Sequence, residues 1–189
     1  MIKRLGLAAL AAAFILFFWG FFWFGISPLV KQSLQSLPDA AKPGIAAFVD
    51  AKLASGTYMS PAYDDSTPEI TARTIADYAA GPVAMIHYRN AGAGFMDPGV
   101  MGMGFLHFFV SALLIGWLYL RAGGPLPGFR DRWAFVVGAG LLIGFAGRLS
   151  EPIWYQMPWG FFLYYAAFDV TGWALAGLAM ARILRPQTA

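Results

Sequence analysis

Ionisable side chains inside long apolar runs are the residues of this sequence with the most scope for chemistry. Asp169 lies within the apolar run 160–183, in the stretch FFLYYAAFDVTGWALAGLAMARI. Nine residues of helical rise after Gly160 place it roughly 13 Å into a membrane-spanning helix. A carboxylate at that depth costs about 2.5–3.5 kcal/mol on insertion scales, so it must face protein or water. The sequence therefore predicts a buried polar site around Asp169.

Three further ionisable residues are expected in the same half of a helix bundle. Arg148 lies near the end of the run 133–150, and Glu151 follows three residues later. His107 lies about two turns into the run 100–120. Two interpretations stay open for this set: a site that binds or moves a proton or ligand, and a buried charge pair that fixes helix register. The absence of internal repeats from the sequence speaks against a transporter of known design.

Small residues at helical spacing suggest where the apolar runs pack together. Gly172 and Ala176 have the small-x-x-x-small spacing that lets two helix backbones approach closely. Gly140 and Gly144 have the same spacing in the preceding run. Because about nine residues join the two runs, we expect them to be antiparallel neighbours that pack through these faces.

Methionine and histidine residues offer a second, weaker candidate site. Met96, Met101 and Met103 come shortly before His107 in the stretch FMDPGVMGMGFLH. Thioether sulfur and imidazole together form a soft ligand set suited to Cu(I). Methionine more commonly fills irregular apolar gaps, and the spacing matches no strong metal motif. We therefore expect no metal site.

Recognisable catalytic patterns are missing from the sequence. It contains no nucleophile elbow, no phosphate-binding glycine loop and no H-E-x-x-H pair. The lack of cysteine excludes disulfides, thiol catalysis and iron–sulfur clusters. No cofactor is expected, and the sequence favours a protein that is not an enzyme.

Four apolar runs must position these residues. The sequence is 59% hydrophobic and 12% charged, against about 45–50% apolar and 25% charged in a soluble domain. The runs that reach the length of about 20 residues needed to cross a bilayer cover about 5–30, 100–120, 133–150 and 160–183. The sequence therefore predicts an all-α integral membrane protein with four transmembrane helices.

The basic residues indicate how the helices are threaded. If the four spans alternate, seven basic residues fall on one side of the membrane: Lys3, Arg4, Arg121, Arg130, Arg132, Arg182 and Arg185. This positive-inside pattern predicts cytoplasmic termini in a cytoplasmic (inner) membrane. The net charge of +3 is then explained by the membrane topology, and a nucleic-acid partner is not expected. The first run is longer than a signal-peptide core, so 1–28 reads as a signal-anchor helix.

The segment 29–99, between the first two spans, is expected to form a small extracytoplasmic α+β cap. The stretches PGIAAFVDAKLASG and STPEITARTIADYAAG carry helix signals, the second with Ser66 as N-cap and Gly81 at its end. The stretch PVAMIHYRN reads as a strand that pairs with 57–59. A segment of about 70 residues is marginal alone. We therefore expect it to pack on the outer ends of the spans or on another protein. The second to fourth spans occupy 100–186.

Several stretches resemble a family of small bacterial four-helix integral membrane proteins with no assigned function. These are LFFWGFFWFGISPL in the first helix, GTYMSP and GPVAMIHY in the segment after it, GFLHFFVSALLIGWLY in the second span, and FDVTGWALAGLAMARILRP in the last. The resemblance covers nearly the whole chain and matches the last-helix pattern at Asp169, Gly172 and Trp173. It implies the four-span layout and supplies no activity.

The function that these observations favour is that of a non-enzymatic accessory, assembly or interaction subunit of a membrane complex. Its expected partners are the lipid bilayer and either another protein or further copies of this chain. The alternative is a small transporter, or a protein that binds a lipid or quinone at the Asp169 site.

Overall fold

The computed structural model describes residues 2–92, 94, 96–121 and 128–185. Helix α1 (Ile2–Gly20) continues into a π-helical turn over Phe21–Ile26, and the short helix α2 (Leu29–Ser33) follows. Alanines line the buried side of α1, so a neighbouring helix can pack close to its backbone. Helix α1 contains no run of β-branched residues, and the first acidic residue of the sequence comes well after the helix ends.

The segment after α2 contains short elements. A 3₁₀ turn at Asp39–Ala41 leads into α3 (Lys42–Asp50), and the strand β1 (Gly56–Ser60) follows. Helix α3 covers the first part of the stretch PGIAAFVDAKLASG, in which the sequence predicts a helix, and ends before Leu53.

Helix α4 (Pro68–Ala80) begins and ends at residues of the types that its sequence predicts. The N-cap is Thr67 rather than Ser66, because the Thr67 hydroxyl accepts the Ile70 N–H at 3.3 Å. Pro68 occupies the first turn, where a missing N–H costs nothing. Gly81 ends the helix with φ of 66°, a conformation that glycine adopts without strain.

A two-stranded antiparallel sheet joins the two halves of this segment. The strand β2 (Ala84–Tyr88) pairs with β1 in the register Gly56 to Tyr88 and Ser60 to Ala84. The predicted strand and its predicted partner are both confirmed.

The second half of the chain contains only helices and their connections among its described residues. Helix α5 (Pro98–Arg121) comes first, and α6 (Phe129–Arg148) follows. A short helix α7 (Ser150–Trp154) then leads to α8 (Trp159–Ile183).

Four helices are long and apolar enough to cross a membrane, as the sequence predicts. They cover Ile2–Ile26, Pro98–Arg121, Phe129–Trp154 and Trp159–Ile183. The first and third are longer than α1 and α6 alone because the π-helical turn and α7 extend them. The fold is therefore mostly helical, with four candidate membrane spans and a small sheet between the first and second.

The chain divides into two compact units. We call the first the membrane unit; it comprises Met1–Leu34, Met96–Trp154 and Pro158–Ala189. In it α1 packs against α5 and α8, and α6 packs against α8. Its core is made of apolar side chains from all four long helices: Ala8, Ala9, Ala12, Leu16, Ala112, Ile115, Tyr119, Val136, Trp173, Ala176, Met180 and Leu184. The second, the intervening unit, comprises Gln35–Phe95 with Tyr155–Met157.

Candidate functional site

Asp169 lies on the side of α8 that faces the other helices. It is ten residues from the start of α8, or about 15 Å along the helix axis. Its relative solvent exposure is 7%, and it is one of the few buried polar residues in the described part of the chain. Trp173 one turn further is buried too. A carboxylate in this environment requires a partner of opposite charge.

Arg148 is that partner. Its Nε donates to Asp169 Oδ2 at 2.7 Å. Arg148 ends α6, and side chains on a helix lean towards its N-terminus. Because α6 and α8 run in opposite directions, the two side chains lean towards each other. The carboxylate side chain is 9% exposed and the arginine side chain 40% exposed, so Arg148 covers Asp169 from outside.

An aromatic ring fixes the guanidinium on a second side. The Arg148 Cζ lies 5.2 Å from the centre of the Tyr165 ring, which is within reach of a cation–π contact. Tyr165 is one turn before Asp169 on the same helix, so one segment of α8 supplies both contacts to the arginine. Phe24, from the π-helical turn, packs on Tyr165 with ring centres 4.9 Å apart.

The π-helical turn of the first span is tied to α8 by a single hydrogen bond. In a π turn the N–H of residue i+5 reaches the carbonyl of residue i, as Ser27 does with Phe22 at 2.9 Å. The next carbonyl belongs to Trp23, and the residue five positions on is Pro28, which has no N–H to donate. The Tyr164 hydroxyl donates to this carbonyl instead, at 2.6 Å.

Two indole N–H groups in this region lack an acceptor among the described residues. The Nε1 atoms of Trp19 and Trp23 are buried without a hydrogen-bond partner. Their ring centres are 5.2 Å apart, and Trp23 also packs on Tyr164 and Phe168. Buried indole N–H groups usually have a partner, so this aromatic cluster is a second place where a polar ligand atom could be held.

His107 and Glu151, expected to converge with the pair, form no hydrogen bond or ion pair with it among the described residues. His107 is exposed on α5, and its ring packs on Phe108 of its own helix. The Ser111 hydroxyl one turn later donates to the His107 carbonyl at 2.8 Å. Glu151 is half-buried in α7 and forms no ion pair among the described residues. The structure therefore brings together Arg148 and Asp169 from the four predicted site residues.

The methionines of the weaker candidate site are spread over a turn and the start of α5. Met96 precedes the helix and is 52% exposed, and Met103 is 65% exposed. Met101 is half-buried, and His107 lies one turn after Met103. Within the described residues no group of three or more His, Cys, Asp or Glu side chains could hold a metal ion.

Glycines mark the closest approach of α6 to α8. A Cβ at Gly140 would lie 2.6 Å from Trp173 Cβ, and one at Gly144 would lie 3.1 Å from the Ala166 carbonyl oxygen. The distance at Gly140 is shorter than real Cβ contacts show, so this position needs glycine for the present helix spacing. The distance at Gly144 is tight, and a side chain there would require its neighbour to shift by a few tenths of an ångström.

Gly172 lies against a different helix from the one expected. A Cβ there would meet Trp19 and Leu16 of α1 at 2.9 and 3.1 Å, so this face packs on α1 and not on the glycines of α6. Ala176 one turn further is fully buried in the core of the membrane unit. The small residues of α8 therefore serve both neighbours: Gly172 faces α1, a Cβ at Gly177 would lie 3.2 Å from Val136 of α6, and Trp173 fills the space at Gly140.

Contacts at the other end of α8 were not predicted from the sequence. Arg132 Nε donates to the Ala181 carbonyl at 2.9 Å, and Trp133 Nε1 donates to the Ala174 carbonyl at 2.8 Å. Arg132 is buried. The positive-inside rule uses only the position of an arginine in the sequence, so it does not tell a buried arginine from an exposed one. The place of Arg132 in the first turn of α6, four residues before a buried valine, is the pattern that indicates an inward face.

The Arg148–Asp169 pair can do two things chemically. It cancels two charges inside an apolar helix bundle, which removes most of the cost of burying the carboxylate. It also leaves part of the guanidinium exposed, since only Nε bonds to Asp169 among the described contacts. The site thus has a charge-neutral buried centre and a partly open cationic edge.

No protein-family model, no curated protein and no solved structure matches this chain. The comparisons thus identify no family. The protein is an integral membrane protein by its four candidate spans and the bilayer contact that they imply.

Proposed function

We propose that this protein is a non-enzymatic accessory, assembly or interaction subunit of a membrane complex. The observation that carries the proposal is the exposure of the intervening unit. Among its described side chains only that of Thr74 is buried, while Tyr63 and Ile75 are 71% and 64% exposed. All the residues of the apolar core belong to the membrane unit.

A unit that buries so little apolar surface lacks the main source of folding stability. Apolar burial contributes about 25 cal/mol per Å², and each ordered residue costs roughly 1–2 kcal/mol in backbone entropy. The two-stranded sheet adds little, because a lone hairpin is marginal in water. Contact of the exposed apolar residues with a protein partner would supply the missing burial.

The geometry of Asp169 supports a structural role for the pair within such a subunit. Its carboxylate already has a guanidinium partner at 2.7 Å and is 9% exposed. A charge pair between α6 and α8 fixes their register, which a scaffold requires. The pair therefore acts as a lock in this proposal.

The same proposal places the protein in the cytoplasmic (inner) membrane with both termini inside. The distribution of arginine supports this orientation: Arg130 and Arg132 lie in the first turn of α6, Arg182 lies in the last turn of α8, and Arg185 follows that helix. Residues 29–99 then face outward, and 100–186 contain the remaining spans. Because the chain has no cysteine, single introduced cysteines at Ser55 and Arg130 test the orientation through their reactivity with a membrane-impermeant maleimide in intact cells.

The direct test is to capture the partner from the native membrane. A photo-crosslinking amino acid is introduced at Ile75, in the intervening unit, and the protein is purified through a tag after Ala189. We expect a crosslinked adduct of one defined protein, present in a constant ratio to the tagged chain. The matched control places the crosslinker at Leu142, which is 66% exposed on α6, where adducts with lipid are expected instead.

A second variant tests whether the exposed apolar surface carries the interaction. The substitution Ile75→Glu is expected to abolish recovery of the partner while leaving the folded membrane unit intact. Recovery of a chain without a partner from both the wild type and the variant would contradict the accessory role.

A second candidate function is the binding of a lipid or quinone tail. An apolar groove of about 420 Å³ is lined by Phe14, Ile15, Phe18, Trp19 and Leu175. Trp19 is also one of the two tryptophans whose indole N–H has no acceptor among the described residues. This combination suits an apolar chain that carries a hydrogen-bonding carbonyl.

The substitution Asp169→Asn separates the two candidates. If the pair is a lock, the variant loses thermal stability in detergent and keeps its partner once folded. If the region is a ligand site, stability is unchanged or higher and a pH-dependent phenotype or a co-purifying lipid is lost. Organic extraction of the purified protein, followed by mass spectrometry, identifies the lipid in the second case.

A further inference from the structure

We propose that the end of the membrane unit where α1 begins and α8 ends binds the phosphate headgroup of an anionic phospholipid. This inference goes beyond the proposed accessory role and does not depend on it. It requires that the long helices span a membrane, so that their ends lie at headgroup level.

Two pairs of basic residues meet at this end. Lys3 and Arg4 belong to the first turn of α1, and Arg182 and Arg185 lie at the end of α8. The Arg4 Nη1 donates to the Arg185 carbonyl at 3.4 Å, which joins the two helix ends. Lys3, Arg182 and Arg185 are exposed, and Arg4 is half-buried.

No carboxylate in the described structure forms an ion pair with any of these four side chains. The acidic residue of the neighbouring helix, Asp131, accepts the Gly128 N–H at 3.1 Å and so caps the start of α6. The stretches 122–127 and 186–189 contain no acidic residue in the sequence. Four adjacent cations repel one another unless an anion lies among them.

A lipid phosphate is the anion that this place favours. Basic groups between transmembrane helices at the headgroup level bind anionic lipid headgroups, and each basic residue adds roughly fivefold to the affinity. Exposed apolar side chains continue from the cluster along both helices, with Leu7 57% and Leu178 46% exposed. These side chains offer a surface to the acyl chains of the same lipid.

Matched arginine substitutions test the proposal. The full chain is delipidated in mild detergent, and the binding of phosphatidylglycerol is measured by native mass spectrometry and by the rise in Tm. We expect Arg182→Gln with Arg185→Gln to weaken binding by about 30-fold, from two basic residues at roughly fivefold each. Both side chains are exposed, so the Tm without lipid is expected to stay unchanged.

The control removes two exposed arginines from other helix ends on the same side. Arg121→Gln with Arg130→Gln lowers the positive charge by the same amount and is expected to change the affinity less than threefold. Equal losses in the two double variants would show a diffuse charge effect and overturn the site. A second pair, Lys3→Gln with Arg182→Gln, takes one cation from each helix and is expected to reproduce the 30-fold loss.

Two further ligands distinguish the source of the phosphate. Phosphatidylcholine, which is zwitterionic, is expected to bind weakly and without sensitivity to the substitutions; binding equal to that of phosphatidylglycerol would overturn the proposal. Inorganic phosphate is expected to leave the Tm unchanged at millimolar concentration. If it raised the Tm and the rise were lost in Arg182→Gln with Arg185→Gln, the ligand would be free phosphate and the lipid assignment would be wrong.

Discussion

The membrane unit and the intervening unit satisfy their polar groups in opposite ways. In the membrane unit the partners of the buried polar side chains come from different helices: Arg148 bonds to Asp169, and Tyr164 bonds to the Trp23 carbonyl 141 residues away in sequence. In the intervening unit most partners are close in sequence, as in the bond from the Ser66 N–H to the Asp64 carboxylate. Among the described residues the long-range exception is the strand pair and its flanks, where Ser55 bonds to Asn90.

The difference follows from what surrounds each unit. A helix that crosses a bilayer satisfies its own backbone, and a polar side chain on it finds no water in the hydrocarbon. A hydroxyl such as that of Ser111 can bond to a carbonyl one turn earlier in its own helix. A buried carboxylate must instead find a partner on another helix, and that partner fixes helix position. An exposed side chain such as that of Asp64 has water as an alternative, so its bonds are local and weak. Substitutions are accordingly expected to cost most in the membrane unit.

Removal of Arg148 is expected to have the largest effect. The substitution Arg148→Leu leaves the buried Asp169 carboxylate without a counter-charge, and breaking a buried pair in this way costs about 3 kcal/mol. The free energy of unfolding in mixed micelles, measured by titration with sodium dodecyl sulfate at neutral pH, is expected to fall by about that amount.

The double variant shows whether charge or packing is responsible. Arg148→Leu with Asp169→Leu replaces the pair by apolar groups and is expected to regain most of the lost stability, because a buried pair contributes little net free energy. If the double variant were as unstable as Arg148→Leu, the contact would act through packing of the arginine on Tyr165 and not through charge.

Overpacking at Gly140 is expected to have the next largest effect. The Cβ of Gly140→Ala would lie 2.6 Å from Trp173 Cβ, an atom fixed to the backbone of α8, so the helices must separate. Such strain costs about 2 kcal/mol. Gly138→Ala on the same helix is the matched control, since no atom lies within 4 Å of its Cβ position. The control is expected to keep or gain up to about 1 kcal/mol, because alanine favours helix over glycine.

Hydropathy and helix punctuation predict the elements of this fold well. An apolar run of bilayer length specifies a spanning helix by itself, and the pairing of β1 with β2 follows from two short β-rich stretches. The π-helical turn at Phe21–Ile26 is not visible in hydropathy. The residue that indicates it is Pro28, five residues after Trp23. Because proline has no N–H, a hydroxyl from another helix donates to the Trp23 carbonyl instead.

The candidate site is harder to predict because depth along a helix does not give direction around it. His107 and Arg148 are both about two turns or less from a helix end, yet His107 is exposed and Arg148 bonds to Asp169. The direction depends on which helices are neighbours, and α1 lies between α5 and α8. The same fact explains why Gly172 meets α1 and not α6.

Loss of the Tyr164 hydroxyl is expected to have a smaller effect. Tyr164→Phe leaves the part-buried Trp23 carbonyl without a donor, since Pro28 has no N–H, and an unsatisfied carbonyl of this kind costs roughly 1 kcal/mol. The unfolding free energy of Tyr165→Phe serves as the control, because the Tyr165 hydroxyl makes no hydrogen bond among the described residues and the ring contact with Arg148 is retained. Equal losses in both variants would contradict a role for the Trp23 bond.

The smallest effect is expected at Asp64 in the intervening unit. Hydrogen bonds from the Ser66 side chain and then from its backbone N–H lower the pKa of Asp64 from its ordinary value of 3.8. A lowered pKa in the folded state means that the bonds stabilise the fold above pH 3.8 and that this contribution is lost as the pH falls through the lower, folded-state value. The Ser66 amide resonance of the full chain in micelles is therefore expected to titrate with a midpoint below 3.8. Ser66→Ala removes the larger of the two causes and is expected to move the midpoint back towards 3.8, and an unchanged midpoint would assign the shift to the backbone bond instead.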